Sequence, residues 1–292
     1  MSKLDELLSE LLAADVKKLL LLPMLMLAAG LVVVVASYTT GTMPMSIDFK
    51  GGTLIVAPYQ EGAEGAGEAL AEALGYPVKV RIVSDALGNR EIELFIAHAL
   101  STEEMKEVRA VLSAGGIPGD AIAIDIISPS LGEAFFRQAI YALLFAFTLM
   151  AITIFLRFRT FVPSIAVVLS AFSDMVVTLG VMSLLGIELS KGSLLALLLL
   201  IGYSVDTDIL LTTRVLMHRH GSIAERIRRA MLTGMTMSMT TFAAMLVLFI
   251  VSSSKVLDDV ALVIMIGMVV DMINTWLQNV AILRWYVERR SA

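Results

Sequence analysis

Four aspartates stand inside stretches that are otherwise apolar enough to cross a bilayer: Asp174, Asp206, Asp208 and Asp271. A carboxylate in hydrocarbon is costly to keep charged and unpaired, so an acid retained there is a candidate for binding and releasing a proton or an ion. No Lys or Arg lies in the interior of the same stretches. The acids are therefore protonated for part of the time, or they are met by a cation from another chain. Both situations suit a group that gains and loses a proton. At the rise of an α-helix, Asp206 sits about 12 Å from Arg214 and Asp271 about 20 Å from Arg284, which puts both within the hydrocarbon slab.

Spacing assigns these acids to faces. Asp206 and Asp208 are two residues apart and point in different directions on a helix, which argues against a pair sharing one proton. Ser204, Asp208 and Thr212 form a polar stripe, Asp271, Asn274 and Gln278 form another, and Asp206 shares a face with Gly202 and Thr213. Such stripes are expected to face the bundle interior or a water-filled cavity. For the neutral polar residues the simpler role is to hydrogen-bond helices together.

Other chemistries find no support. With no Cys, disulfides, thiolate metal sites and cysteine nucleophiles are excluded. His98 stands alone, and His218 with His220 has no further ligand at metal-site spacing. Lys50-Gly51-Gly52-Thr53 lacks the spacing of a phosphate-binding loop. The G-x-G-D element of intramembrane aspartyl proteases is missing before Asp206. No catalytic residue, metal or cofactor is expected. The net charge of −5 leaves no basic surface for nucleic acid.

The elements that carry these residues follow from composition. A chain that is 58% hydrophobic and 17% charged, with mean hydropathy +0.84, belongs in a membrane. Six stretches reach the length of a span: residues 19–38, 138–156, 161–185, 192–213, 232–252 and 260–283. The apolar run of the first, Leu19 to Ala36, is longer than a usual signal-peptide core and has no small-x-small site after it, so it reads as an uncleaved anchor. Lys3, Lys17, Lys18, Arg157, Arg159, Arg214, Arg219, Arg226, Arg228, Arg229, Arg284, Arg289 and Arg290 gather at one set of ends, against Lys191 and Lys255 on the short loops opposite. The positive-inside rule makes both termini cytoplasmic and places the protein, multi-pass, in the cytoplasmic (cell) membrane.

Residues 1–18 then form a cytoplasmic tail, residues 41–137 an extracytoplasmic domain, and residues 138–292 a five-helix bundle ending in the cytoplasm. Within the domain the pattern reads strand (53–57), helix (64–74), strand (78–83), strand (91–97), helix (102–113), strand (121–127). Ser101 and Glu104 make a capping box, and Ala86-Leu87-Gly88-Asn89 turns between the central strands. This βαββαβ order predicts a small α+β ferredoxin-like domain, a fold that implies no activity by itself. Leu131 to Arg137 reads as an amphipathic lead-in to the bundle, and the basic segment Arg219 to Arg229, with Ile223 and Ile227 at helical spacing, as an interfacial stretch attracted to anionic lipid.

Three sequence blocks carry a resemblance. Asp48-Phe49-Lys50-Gly51-Gly52-Thr53 resembles a signature of the SecF family, the protein-export membrane subunits that work with SecD. Ser173-Asp174-Met175 through Leu185-Gly186-Ile187-Glu188 resembles the third span of that family, and Gly202-Tyr203-Ser204-Val205-Asp206-Thr207-Asp208 with Arg214 its fourth. The likeness extends over essentially the whole chain. It implies an RND-like assembly with SecD that uses a proton or sodium gradient to move the outer domain and help a preprotein leave a SecYE-type translocon. Bacterial members typically place their acid where this chain has Thr207, so the coupling acid is carried to Asp206, with Asp208 second. Those members usually have His where this chain has Ser173; the acid doublet and the missing His resemble the archaeal branch.

Two other readings compete. A half-size RND-like exporter of a lipid or small molecule requires a ligand-sized apolar pocket in the outer domain. A passive scaffold, with SecD alone coupling to ions, requires no intramembrane acids.

Overall fold

The computed structural model describes residues 15–60, 65–84, 90–217, 221–252 and 254–291. Lys3, most of the expected N-terminal tail, the turn at Ala86-Leu87-Gly88-Asn89, and His218, Arg219 and His220 lie outside the described residues. Helix α1 (Val16–Thr39) is followed by one short helical turn, α2 (Ile47–Lys50), and then by strand β1 (Gly52–Pro58), helix α3 (Ala66–Leu74), strands β2 (Val78–Ser84) and β3 (Arg90–Ile96), helix α4 (Thr102–Ala114) and strand β4 (Ala123–Ile127). Long helices α5 (Pro129–Phe158), α6 (Phe161–Leu185), α7 (Lys191–Met217) and α8 (Ile223–Val251) come next, then α9 (Lys255–Ile273), a π turn at Asn274–Asn279, and α10 (Val280–Ser291).

The strands form one antiparallel sheet in the order β2-β3-β1-β4. Alternation along β1 and β3 turns Ile55, Ile92, Leu94 and Ile96 to one face, where Leu70 of α3 and Val108 and Leu112 of α4 close over them. Each such side chain, taken fully out of water, contributes about 1.5–3 kcal/mol. The capping box at Ser101 and Glu104 starts α4.

Among the described residues, five helices are long and apolar enough to cross a membrane: α1, α5, α6, α7 and α8. The stretch expected as a sixth span, 260–283, differs. It is divided among α9, the π turn and α10, and α9, with 19 residues, is too short to offer a span-length stretch free of Asp258, Asp259 and Asp271. Backbone angles at Ile273, Asn274 and Val280 stay right-handed helical, so the chain runs on through the turn. The expected lead-in at Leu131 to Arg137 is not a separate element, because Ser128 caps a helix that continues from Pro129 to Phe158. Ile223 and Ile227 turn inward, to a cluster with Leu211, Val215 and Trp276, and residues 223–229 of that segment form the first turns of α8.

Small residues decide how closely the helices approach. Gly30 of α1 meets Gly180 and Val177 of α6 backbone to backbone, and a methyl group on Gly180 would lie 3.1 Å from the Gly30 Cα. Gly267 of α9 similarly fits under Leu200 of α7. These contacts set α1 against α6 and α9 against α7.

Candidate ion-coupling site

Asp174 of α6, Asp208 of α7 and Asp271 of α9 meet in the middle of the bundle, at 1%, 0% and 3% exposure. Asp174 accepts hydrogen bonds from the Ser204 hydroxyl (2.5 Å) and from Asn274 Nδ2 (2.7 Å), which also donates to Ser173 (3.0 Å). Asp208 Oδ1 accepts from Asn279 Nδ2. Thr275 Oγ1 lies 2.9 Å from Asp208 Oδ1 and 3.1 Å from Asp271 Oδ1. A threonine hydroxyl has one proton to donate and two lone pairs to offer, so it cannot donate to two ionised carboxylates. One carboxyl holding a proton satisfies the geometry.

None of the ion pairs among the described residues involves these three acids. Several buried polar atoms close by have no hydrogen-bond partner: Asp208 Oδ2, Ser170 Oγ, Thr212 Oγ1, Asn274 Oδ1, and both amide atoms of Gln278. Buried groups of this kind are ordinarily satisfied by protein or water, so the cluster is polar enough to hold water or an ion. No group of three His, Cys, Asp or Glu among the described residues is arranged to hold a metal.

Asp206 does not join the cluster. Two residues before Asp208, it turns to the exposed side of α7 beside Gly202, whose missing side chain faces open space, and the partly exposed Tyr203. A cavity of about 40 Å³ leads inward from there, lined by Tyr203, Asp206, Ser238 and Asp271. That is room for about two or three waters. The exposed Asp206 and the buried Asp271 thus border the same small cavity. Arg214 lies half-buried in the last turn of α7.

Sequence reasoning missed Thr275, Asn279 and Ser170. The dense run of polar residues from Asn274 to Asn279 was visible, but a uniform helical period does not reveal that a widened turn presents so many of them inward. Single π turns inside α-helices often mark functional sites.

The Asp48–Thr53 block clasps the outer domain to this bundle. Asp48 pairs with Lys191 Nζ (2.9 Å) and accepts from the Lys191 backbone N–H (3.2 Å) and the Ser46 hydroxyl (3.0 Å), at the start of α7. Burial works to raise its carboxyl, but the bonds from Lys191 and Ser46 and the Lys191 charge outweigh that and hold it below the ordinary value. Phe49 stacks edge-on with Phe136. Gly51 and Gly52 have φ of 77° and 132°, and added methyl groups would meet Pro129 at 2.7 Å and the Ile96 carbonyl at 2.6 Å, so only glycine fits here. Lys50 is exposed. Thr53 donates to the His98 carbonyl (2.8 Å) and accepts from the Leu100 N–H (3.1 Å).

A second bridge runs from the sheet. Arg81 of β2 lies 3.7 Å from Glu188 in the α6–α7 loop, Glu188 lies 3.7 Å from Lys255, and Lys255 lies 3.6 Å from Asp259, whose carboxylate accepts from Ser190 (2.7 Å). Glu93 of β3, beside Arg81, has its carboxyl raised, chiefly by burial, with Lys255 and Arg81 opposing. In the outer domain a groove of about 590 Å³ lies between α3 and α4, lined by Ala66, Ala69, Val111 and Ile117.

Residues 111–289 match the family model described as protein export membrane protein SecD/SecF, C-terminal. The protein-export membrane protein SecF of Methanolacinia petrolearia is 39% identical over 94% of this chain and 94% of its own length. That of Pyrococcus furiosus is 35% identical over 98% and 96%. Among solved structures, SecDF from Thermus thermophilus, titled a translocon-associated membrane protein, superposes with a TM-score of 0.74 at 25% identity over 93% of this chain. The chain spans 38% of that longer polypeptide.

Proposed function

Since the chain belongs to the SecF family of protein-export membrane proteins, we propose that it works beside a SecD subunit, using an ion gradient to move its outer domain while a preprotein leaves a SecYE-type translocon. The observation that carries the coupling is the single Thr275 hydroxyl between Asp208 and Asp271. With a proton on Asp271, its O–H donates to Thr275 and Thr275 donates to Asp208. When both protons move one step along this line, Asp208 becomes protonated and Asp271 ionised, and the pair keeps one negative charge. Water in the passage beside Asp206 delivers the proton to Asp271, and Asp208, at the other end of the line, releases it toward the opposite side of the membrane. Adding or removing charge in so dry a place changes the cost of keeping α7 against α9, and thereby favours one of two bundle packings.

Several features support the finer architecture. The sheet order with both helices on one face supports a ferredoxin-like outer domain. The unbroken path from α9 through the π turn into α10 supports a sixth transmembrane helix. The gathering of cations at one set of ends supports a cytoplasmic location of both termini in the cell membrane, with residues 41–137 outside. The exposed face with Gly202, Tyr203 and Asp206 is where a SecD span would dock, since a glycine there lets a second helix approach closely, and the passage beside Asp206 would then open between the two chains. The groove between α3 and α4 meets the size demanded by a small-molecule exporter, but the relatives are export proteins for polypeptides by name, and the exporter reading is not favoured.

The test is export of a secreted preprotein into vesicles that contain translocon, SecD partner and this chain, with a proton or sodium gradient imposed. Asp208→Asn and Asp271→Asn are expected to assemble with the partner and to lose the gradient-dependent increment of export while the remainder persists. Undiminished gradient dependence in both variants would sink the coupling and leave the scaffold reading.

A further inference from the structure

Between α1 and α5, on the outer half of the bundle, a recess of about 420 Å³ opens sideways. Its lips are Tyr38 and Ile140, both exposed, with Leu143 half-buried beside them, and it reaches inward as far as Ala139 and the fully buried Leu197. Phe49 and Met43 roof it. The roof carries Lys50, an exposed residue whose ammonium donates to the Met43 carbonyl at 3.5 Å and meets no carboxylate among the described residues. The neighbouring Lys191 differs, because it is held by Asp48 at 2.9 Å and lies over the Phe135 ring.

We propose that this recess holds one hydrocarbon chain of an anionic membrane lipid whose headgroup is bound by Lys50. The lips of the recess are exposed and its walls apolar, so with the bundle in a bilayer water gains nothing there and a lipid chain fills it at little cost. A helix with side chains is about 10–12 Å across and cannot enter so small a space, so a partner span can cover the mouth but not occupy the recess. Lys50 ends α2, between the end of α1 at Thr39 and the first strand at Gly52, which on the orientation proposed above is the outer headgroup side of the membrane. Its charge favours phosphate-bearing anionic headgroups over zwitterionic ones by about fivefold.

Native mass spectrometry of the delipidated complex with its SecD partner tests this, with phosphatidylglycerol or phosphatidylcholine of identical chains added. Wild type is expected to retain phosphatidylglycerol about fivefold better. Lys50→Gln should remove the preference but keep a bound lipid, whereas Ala139→Phe should reduce retention of both. Ile140→Phe, placed on the exposed lip, obstructs the recess from outside the buried cluster that holds Ala139, and serves if Ala139→Phe fails to fold. Equal retention of both lipids by wild type, unchanged preference in Lys50→Gln, or wild-type retention in the Phe variants would overturn the proposal. So would a lipid bound to the isolated chain but missing from the complex, which would give the mouth to a partner span.

Discussion

Asp208 and Asp271, on separate helices, reach the same hydroxyl, with Thr275 Oγ1 standing 2.9 Å from one carboxylate and 3.1 Å from the other. Valine has nearly the shape of threonine but no proton to pass, so Thr275→Val interrupts the line between the acids while leaving the packing in place. Removing a relay hydroxyl is expected to cut gradient-dependent export by about 10²-fold, and Thr275→Ser is expected to restore most of it. Comparing export with and without a gradient in the three proteins checks this. Equal loss in Val and Ser variants would point to a packing role instead.

Asp206, exposed, and Asp271, buried, line one cavity, and they should fail differently. At the exposed mouth, Asp206→Asn removes a charge that gathers protons but leaves water in the passage. Gradient-dependent export should fall less than about tenfold, and raising the external proton concentration should recover it, since supply rather than the relay is impaired. Asp271→Asn should not recover. A complete, pH-insensitive loss in Asp206→Asn would place the coupling step at Asp206 itself.

Much of this was legible from residue types and spacing. The strand and helix order of the outer domain, the capping box at Ser101 and the inward stripe Ser204, Asp208 and Thr212 all follow from periods of two and 3.6. The rest depended on neighbours. Whether a face of α7 points inward is decided by which helices pack on it, and α9 and α6 choose the face of Asp208 over that of Asp206. The pairing of Asp48 with Lys191 joins residues 143 apart in sequence, and no local pattern announces it. The π turn at Asn274–Asn279 breaks the period on which a helical reading rests.

Asp48 and Glu93 predict opposite responses to pH. Asp48 is held below its ordinary value, so its contribution to stability is complete above the unfolded pKa of about 3.9 and is lost as pH falls through the lower folded value. Asp48→Asn should therefore cost about 0.5–1 kcal/mol near neutral pH, discounted for the exposed Lys191, and progressively less in acid. Glu93 is raised, so its folded form prefers the proton, and stability is lost as pH rises from the unfolded value of about 4.3 to the raised one. Glu93→Gln should remove that loss. Thermal unfolding of the full chain in detergent across pH 3–8 reads both, and matching pH profiles for wild type and the two variants would contradict the assignment.

Glu188 lies between the sheet and the bundle, 3.7 Å from Arg81 on one side and 3.7 Å from Lys255 on the other. Lys255 begins α9, the helix that carries Asp271, so a shift of α9 that follows a change of charge at Asp271 reaches β2 through this bridge. Each pair is partly solvated, and a double-mutant cycle of Arg81→Ala and Glu188→Ala should give a coupling of about 0.5–1 kcal/mol that shrinks with added salt. Glu188→Gln should raise hydrogen exchange in residues 78–83 and lower gradient-dependent export, with the Asp208–Thr275–Asp271 line left intact. Unchanged export together with raised exchange would mean that the bridge only steadies the domain, and transmission would then fall to the clasp of Asp48 on Lys191.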